Sequence, residues 1–359
     1  MHTSAEVPLQ SDAKQPESIA VAFDPRGDSH VAPGFHPERP ERLAAARKGV
    51  LDAAPDAAAL ALREPTLDEL LRAHAPQHIE RLEQSLKRGQ GFIDGDTFFS
   101  AGSRAAAWGA AGAAITAVEA LVRGETRRAV LLARPPGHHA TRERAMGFCL
   151  LNNAAIAAAH ARALGLSRVA IVDWDVHHGN GTQDIFDRDP SVLFASLHQW
   201  PLYPGTGRAD EVGHGDGVGS VLNVPLPSES NGATYAAAFE RVVLPIVEEF
   251  APELIIISAG FDAHERDPLS SMRLTAADYR WMASQLAKVA DRAGHGRVLL
   301  ALEGGYDLRA IEHSIGESVR GLRQPDLAAH PNGPLSQDGS DALRVTLKVQ
   351  RELWAVLRG

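Results

Sequence analysis

Aspartate and histidine residues stand at two places in the sequence at spacings that suit metal chemistry. Asp175 and His177 lie two residues apart at the end of an apolar run, so an extended chain would point both side chains to the same side. Asp262 follows a second apolar run. Three protein ligands of this kind leave a position open for water and substrate, which is typical of a catalytic metal site. The pattern therefore predicts a catalytic cation on Asp175, His177 and Asp262.

Two adjacent histidines, His138 and His139, follow another apolar run in a turn rich in proline and glycine. Amide hydrolysis at a metal needs a base that deprotonates water and an acid that protonates the leaving amine. Asp173 and Asn180 are available to orient the two rings, and a carboxylate keeps an imidazole more basic than an amide does. If each histidine takes one of these partners, the two titrate differently and divide the work. Alternatively, both are structural or are themselves metal ligands.

Tyr306 follows two glycines after a further apolar run. A tyrosine in this setting is commonly a packed loop residue, but the glycines allow the backbone to approach other groups closely. A phenol beside a metal can donate a hydrogen bond to a developing oxyanion, and losing one such donor typically costs ~10²–10³ in rate. Tyr306 is therefore a candidate for stabilising the transition state.

These residues depend on apolar runs that we interpret as strands. The runs are short, continuous and rich in β-branched residues, as expected for strands buried on both faces of a parallel sheet, and alanine-rich helical segments separate them. They cover residues 19–23, 129–133, 169–172, 192–197, 254–258 and 298–302. The alternation predicts a single three-layer α/β/α domain with a central, mostly parallel sheet and an active site at the C-terminal ends of the strands.

Start and stop signals mark the intervening helices. Segments 100–123 and 152–164 are each followed by a glycine, and Thr275 with Asp278 resembles a capping box. Segment 235–250 is helical in pattern but contains Pro245, which predicts a kink or break. Residues 1–17 are expected to form a flexible polar tail, and residues 18–359 a single domain.

Composition argues against several other classes of protein. The 359 residues are 44% apolar and 23% charged, as in globular proteins, and the net charge of −9 offers no basic face for direct nucleic-acid binding. The single cysteine, Cys149, excludes an internal disulfide framework and a cysteine-based zinc site. We find no apolar stretch of roughly 20 residues for a membrane span and no apolar secretion signal. We therefore expect a cytoplasmic protein that does not bind membranes.

The sequence resembles the arginase/deacetylase superfamily and, more closely, the class II histone-deacetylase-like amidohydrolases, which include bacterial members and acetylpolyamine amidohydrolases. The resemblance runs from about His36 to about Leu308. Its motifs are RPPGHH, GFCLLNN, DWDVHHGNGTQ, SLHQ, YPGTG, SAGFDAHERDPL and LEGGYDL. The resemblance implies that the metal on Asp175, His177 and Asp262 is zinc, although such a site also suits ferrous iron.

The resemblance also implies how the catalytic residues divide the work. His139 would act as general base and acid, and His138 would be an electrostatic partner oriented by Asp173. Asn180 stands where class I deacetylases carry Asp, and Tyr306 would polarise the acyl carbonyl together with zinc. The implied substrate contacts are Asp96, Gly147, Phe148, Tyr203, Leu269 and Gly304; for Phe148 and Tyr203 the alternative is a place in the core.

Two structural monovalent cations, usually potassium, are further features that the resemblance implies. The inner site would use Asp173, Asp175, His177, Ser196 and the carbonyl of Leu197. The outer site would use Phe186, Asp189 and Val192, mainly through carbonyls. Because relatives form dimers and tetramers, we also expect a homo-oligomer. His178 is expected to be structural, turned away from the metal by strand alternation.

The function predicted on this basis is removal of acetyl or other short acyl groups from acyl-lysine in proteins or peptides, or from related acylated amines. Leu269 stands where a polyamine-selective relative has Glu, and leucine cannot pair with a secondary ammonium, so a polyamine preference is the second choice. An arginase-like pair of manganese ions is disfavoured because Gly179 stands where a second carboxylate is needed. A catalytically silent acyl-lysine-binding protein is disfavoured because every chemical residue is present.

Overall fold

The computed structural model describes residues 17–358, and within that range ten strands are present. They are β1 (Ala20–Phe23), β2 (Ala58–Ala59), β3 (Gly91–Phe92), β4 (Phe98–Phe99), β5 (Arg128–Leu132), β6 (Val169–Asp173), β7 (Val192–Gln199), β8 (Val221–Leu226), β9 (Leu254–Ala259) and β10 (Val298–Leu302). Eight form one sheet in the order β2-β1-β5-β10-β9-β6-β7-β8, and β3 and β4 form a separate antiparallel hairpin. All neighbours in the large sheet are parallel.

The same part of the chain forms eleven α-helices around this sheet. They are α1 (Glu41–Ala53), α2 (Leu67–Leu71), α3 (Pro76–Leu86), α4 (Ser103–Val122), α5 (Asn153–Ala163), α6 (Asn180–Phe186), α7 (Gly232–Ala238), α8 (Leu244–Phe250), α9 (Ala276–Arg292), α10 (Leu308–Arg323) and α11 (Gln337–Leu353). Residues 1–16 of the expected polar tail lie outside the described residues, and the backbone N–H of Glu17 donates to the carbonyl of Arg323 at 3.0 Å.

Strand alternation divides the interior into two cores, one on each face of the sheet. In β5, Val130 and Leu132 belong to a core shared with α1, α9 and α10, whereas Ala129 and Leu131 belong to a core shared with α4 and α5. Helices thus cover both faces, and the predicted three-layer α/β/α architecture with a parallel sheet is confirmed.

The six predicted strands are all present, but four others were not predicted: the two-residue strands β2, β3 and β4, and the longer strand β8. Its sequence contains Asn223 and Pro225, which interrupt the apolar run. Within the described residues β8 pairs only with β7 and so ends the sheet, a position where a proline is tolerated because one side of the strand needs no ladder hydrogen bond.

The helix signals were also largely correct. The Asp278 carboxylate accepts the backbone N–H of Thr275 at 2.7 Å, as the capping box predicts. Segment 235–250 is broken, but at a wide π turn over Phe239–Val243 that precedes Pro245. A proline lacks an N–H and its ring clashes with the carbonyl four residues earlier, so the helix widens before the proline rather than at it.

Helix α4 corrects the expectation that no segment matches a membrane span. It has 20 residues and is long and apolar enough to cross a membrane by length and composition alone. However, 83% of its most apolar stretch is buried inside the protein, where its small alanines pack against α5 and the sheet. Burial against both neighbours is what a core helix shows.

Four strands at the centre of the sheet carry the predicted chemical residues. In the sheet, β5, β10, β9 and β6 are consecutive neighbours, although they are far apart in sequence. Because they are parallel, their carboxyl ends meet at one edge. The loops after them therefore deliver the two histidines, Tyr306, Asp262 and the Asp175–His177 pair to one place.

Candidate active site

Asp175, His177 and Asp262 lie together where β6 and β9 end. Their ligand atoms are all within 4.8 Å of one another. Nδ1 of His177 is 3.1 Å from an Asp175 oxygen and 3.3 Å from an Asp262 oxygen, and both aspartates are fully buried. Two carboxylates and one imidazole nitrogen at this separation match the donor set of a zinc or ferrous ion.

The surroundings of these carboxylates also fit a bound cation. The backbone N–H groups of Gly304 and His177 donate to the two oxygens of Asp175, at 2.8 and 2.9 Å. The N–H of Val176 donates to one oxygen of Asp262 at 2.9 Å. The other oxygen of Asp262, Oδ2, is buried and lies 3.3 Å from Nδ1 of His177, but it forms no hydrogen bond with that ring or with any other described residue. Leaving a buried acceptor unsatisfied is costly, and a metal ion would satisfy it. A Cβ at Gly304 would lie 2.2 Å from that oxygen, so any side chain larger than that of glycine would clash with Asp262.

The two histidines of the turn after β5 take the partners that the sequence offered. Nδ1 of His138 is 3.0 Å from Asp173 Oδ2, and Nδ1 of His139 is 2.7 Å from Asn180 Oδ1. Both partner atoms are acceptors, so Nδ1 carries the proton in each ring. In neutral His139 this arrangement leaves Nε2 with a free lone pair.

The electrostatic surroundings separate the two rings. Burial lowers the pKa of His138, but the carboxylates of Asp175 and Asp173 outweigh burial and raise that pKa to about 10. Burial, followed by the charges of His138 and His177, lowers the pKa of His139 well below its ordinary value. The pKa values of the two rings therefore shift in opposite directions, as expected from their different partners.

Tyr306 is held at the same edge by its backbone and by its ring. Its N–H donates to the buried carboxylate of Asp267 at 2.6 Å, and the guanidinium of Arg42 lies 4.9 Å from the centre of its ring. Burial, with the charges of Asp262 and Asp175, raises the pKa of the Tyr306 phenol well above 10. The hydroxyl therefore stays protonated and able to donate a hydrogen bond.

A buried ion network that the sequence analysis did not identify supports the Tyr306 loop. Arg42 Nε donates to the Gly305 carbonyl at 2.5 Å, and its guanidinium also bonds the carbonyl of Glu303. Glu38 pairs with both Arg42 at 2.9 Å and Arg134 at 2.5 Å, and all three side chains are fully buried. Burial raises the pKa of Glu38, but the two arginines outweigh burial and bring it down to about 2. The i, i+4 spacing of Glu38 and Arg42 was the available signal.

Above Asp175, His177 and Asp262 lies a cavity of about 270 Å³. All six predicted substrate contacts line it, together with both tandem histidines, His177 and Tyr306. The complete lining is Asp96, Pro136, His138, His139, Gly147, Phe148, His177, Leu202, Tyr203, Leu269, Gly304 and Tyr306. Pro136 and Leu202 were not predicted. Asp173, Asp175, Asn180 and Asp262 lie below this surface.

A tight turn presents Phe148 to the cavity. Met146 and Cys149 exchange both backbone hydrogen bonds, and the two residues between them have φ values of 57° for Gly147 and 68° for Phe148. Positive φ at both central residues is the geometry of a type I′ turn. A Cβ at Gly147 would lie 2.5 Å from the ring of His139, so glycine is required there.

The other walls come from loops. Asp96 lies in the connection between β3 and β4, and its carbonyl accepts from His36 Nε2 at 3.1 Å. The ring of Tyr203 stands edge-on to His139, with 5.1 Å between centroids, and Tyr203 is 38% exposed. Phe148 and Tyr203 therefore form walls of the cavity rather than parts of the core.

The residues predicted for the inner monovalent cation are also adjacent. Asp173 is opposite Ser196 in the β6–β7 register, and Leu197 follows in β7. In the outer set, the carbonyls of Phe186 and Asp189 already accept the N–H groups of Asp189 and Val192, at 2.9 and 3.3 Å. Both potassium sites stay predictions.

Two other groups of chemical residues have structural explanations. His178 lies 2.8 Å from Thr206 Oγ1 and 3.0 Å from Gln183 Oε1, turned away from the metal ligands. Among the described residues a second potential metal cluster, Glu69, Glu119 and His160, surrounds the guanidinium of Arg63, which bonds both glutamates. An arginine already balances those charges.

Comparisons with known proteins agree with this geometry. A family model described as the histone deacetylase domain matches residues 36–322. Histone deacetylase 15 of Arabidopsis thaliana is 40% identical over 95% of this chain, and this chain spans 63% of that protein's length. A probable deacetylase of Archaeoglobus fulgidus is 40% identical over 85% of this chain and 89% of its own length. The crystal structure of the HDA15 HD domain has a TM-score of 0.88 at 40% identity, covering 95% of this chain and 96% of that one.

Proposed function

Because the chain belongs to the histone deacetylase family of hydrolases, we propose that it is a zinc-dependent amide hydrolase that removes acetyl or other short acyl groups from acyl-lysine in proteins or peptides. One observation carries this proposal: Asp175, His177 and Asp262 meet beneath a cavity that His139 and Tyr306 share. Those groups supply the ligands, the base and the oxyanion donor that metal-assisted amide hydrolysis requires.

The chain's own residues account for the proton transfers. Zinc held by the three ligands would activate water and polarise the acyl carbonyl. Nε2 of His139 takes the proton of the water and later gives it to the leaving amine, while Asn180 fixes the tautomer at Nδ1. His138, paired with Asp173, places positive charge beside the site, and the Tyr306 hydroxyl donates to the acyl oxygen.

The cavity walls favour an acylated lysine side chain. Phe148 and Tyr203 offer aromatic surfaces to the lysine methylenes, and Leu269 at the mouth offers no charge to a second ammonium. Asp96, which also lines the cavity, would accept backbone N–H groups of a bound peptide. Small acylated amines, including acetylpolyamines, are the second candidate substrates, because they contain the same acyl-amide group that the proposed reaction would hydrolyse.

We also propose that a structural potassium ion binds at Asp173, Asp175, His177, Ser196 and Leu197. The adjacent Asp173 and Ser196 on β6 and β7 support this assignment. Such an ion would offset the negative charge of the buried aspartates. The test is to dialyse the protein against sodium and to measure how much potassium stays bound per chain.

A substrate panel tests the proposed function. Purified protein is stripped with a chelator, reloaded with Zn²⁺ or Fe²⁺, and assayed on acetyl-, trifluoroacetyl- and longer acyl-lysine peptides beside acetylputrescine and acetylspermidine. We expect hydrolysis of acetyl-lysine peptides only in the reloaded protein. Activity of the stripped protein would refute metal dependence. Peptide binding without turnover of any substrate would instead support a silent acyl-lysine-binding protein.

A further inference from the structure

Glu303 is a fully buried glutamate that the catalytic chemistry above does not use. It is the first residue after β10 and lies three positions before Tyr306. Its side chain turns away from its own loop toward the turn after β5. There Oε2 accepts the backbone N–H of Gly137 at 2.6 Å and that of His138 at 3.1 Å.

These two hydrogen bonds act on the backbone that carries both histidines. Gly137 and His138 sit in a buried turn, where an unpaired N–H would be costly. Hydrogen bonds to a carboxylate are shorter and stronger than those to neutral acceptors, and 2.6 Å is short for a bond from nitrogen. The other oxygen, Oε1, is 3.4 Å from the hydroxyl of Ser258 on β9.

The backbone of the same residue is tied to the rest of the site. The carbonyl of Glu303 accepts from Arg42, and the N–H of the next residue, Gly304, donates to the metal ligand Asp175. Glu303 and the peptide bond that follows it therefore connect the histidine turn, the tyrosine loop and Asp175. Among the described residues, no other side chain donates to or accepts from the backbone of both Gly137 and His138.

We infer that Glu303 is a positioning residue that aligns the His138–His139 turn with the metal ligands and Tyr306. The inference rests on the proposed function, because it assigns Glu303 to the geometry of that reaction. Misplacing a catalytic group by about 1 Å can cost about 10²-fold in rate. Loss of the two hydrogen bonds should therefore lower kcat and leave KM nearly unchanged, since Glu303 does not line the cavity.

The acceptor atom and the charge make separable contributions. Burial raises the pKa of Glu303 to about 7, although the charge of His138 and the Gly137 N–H lower it. Oε2 can accept both N–H groups in either protonation state, so glutamine at this position keeps the acceptor and removes the charge. Aspartate does the reverse, because it keeps the charge but is shorter by one methylene.

Glu303→Gln and Glu303→Asp therefore form a matched pair, with Glu303→Ala for complete loss and Glu80→Asp on the exposed face of α3 as the control. We expect Glu303→Gln to keep kcat within about threefold of wild type. Glu303→Asp and Glu303→Ala should lose about 10–100-fold in kcat, with KM and zinc content unchanged. Wild-type kcat in Glu303→Asp, or equal losses in the Gln and Asp variants, would overturn the inference. If the Ala variant does not fold, the Gln and Asp pair decides.

An NMR measurement separates failure of this inference from failure of the proposed function. In zinc-loaded protein, the amide proton of Gly137 should lie far downfield, and the ring ¹⁵N shifts of His139 should show a proton on Nδ1. Glu303→Asp should move both signals, whereas Glu303→Gln should preserve the His139 shifts. These readouts need no substrate. A wild-type protein without deacylase activity would therefore refute the proposed function, and unmoved signals in Glu303→Asp would refute the role of Glu303.

Discussion

The floor and the rim of the cavity are built in different ways. The floor comprises Asp175, His177, Asp262, His138, His139 and Tyr306. Backbone N–H groups donate to Asp175 and Asp262, buried carboxylates accept from His138, His177 and Tyr306, and the amide oxygen of Asn180 accepts from His139. In the rim, which comprises Asp96, Phe148, Tyr203 and Leu269, loops present the side chains and none is fully buried. Because the floor is tied together by hydrogen bonds and the rim is formed by partly exposed loop residues, we expect changes in the floor to affect the chemical step and changes in the rim to affect substrate choice.

Removal of the metal should have the largest effect if the floor is the chemical centre. Asp262→Asn keeps the size of the side chain but weakens one ligand, so we expect kcat on an acetyl-lysine peptide to fall by at least about 10³-fold, together with bound zinc. Asp326→Asn, on a residue whose side chain is 77% exposed, is the control. Full activity of Asp262→Asn at reduced zinc content would contradict the metal role of the floor.

Tyr306→Phe should come next, because it removes one donor and leaves the metal ligands in place. We expect kcat to fall by ~10²–10³ with little change in KM or in zinc content. Tyr279→Phe is a matched control, since that buried tyrosine has a hydroxyl with no partner among the described residues. Equal rates for wild type and Tyr306→Phe would assign the tyrosine to packing.

Glu38→Gln tests whether the buried ion network of Glu38, Arg42 and Arg134 stabilises the fold. Removing one partner leaves two buried arginines without their counter-charge, and we expect the free energy of unfolding at neutral pH to fall by about 3 kcal/mol. Because the folded pKa of Glu38 is depressed to about 2 from an ordinary 4.5, the stabilisation is present above pH 4.5 and is lost as the pH falls toward 2.

Denaturant titrations of Glu38→Gln at several pH values measure this difference. Wild type and variant should differ most above pH 4.5 and converge in acid. Glu229→Gln, which removes an exposed partner of Arg273, should change stability little at any pH. A pH-independent gap between wild type and Glu38→Gln would exclude the ion network as its cause.

A substitution at the rim should have the smallest effect on the rate. We expect that effect to be confined to the choice between substrates. Leu269→Glu places a carboxylate at the cavity mouth, where a partly exposed ion pair with a polyamine ammonium is worth up to about 1 kcal/mol. We expect kcat/KM for acetylspermidine to rise about fivefold relative to an acetyl-lysine peptide. Leu269→Gln, of equal size but uncharged, should not show the change. A loss of activity on both substrates would mean that rim and floor are coupled.

The floor was largely predictable from sequence, whereas its supports and the rim's architecture were not. Asp175, His177 and Asp262 were identified because they follow apolar runs that become neighbouring strands of a parallel sheet. Apart from the i, i+4 pair of Glu38 and Arg42, the partners of Glu38, Arg42 and Asp267 are brought near only by tertiary structure, and these three residues were therefore missed.

Local backbone chemistry explains the remaining differences. β8 was missed because Asn223 and Pro225 interrupt its apolar run. The strand tolerates this interruption because it lies at the edge of the sheet. The position of the Phe148 side chain depends on a positive φ, which non-glycine residues rarely adopt. The sequence pattern gave no indication of this conformation.

The bonds from Arg42 to the tyrosine loop have a consequence for how the molecule acquires activity. Arg42 lies on the first helix, and its carbonyl acceptors on Glu303 and Gly305 are 261 and 263 residues further along the chain. Contacts between segments so far apart in sequence cost chain entropy to close, and folds rich in such contacts form slowly. During refolding, we therefore expect recovery of turnover to lag behind recovery of helical signal, so that the assay would report when α1 and the loop after β10 have come together.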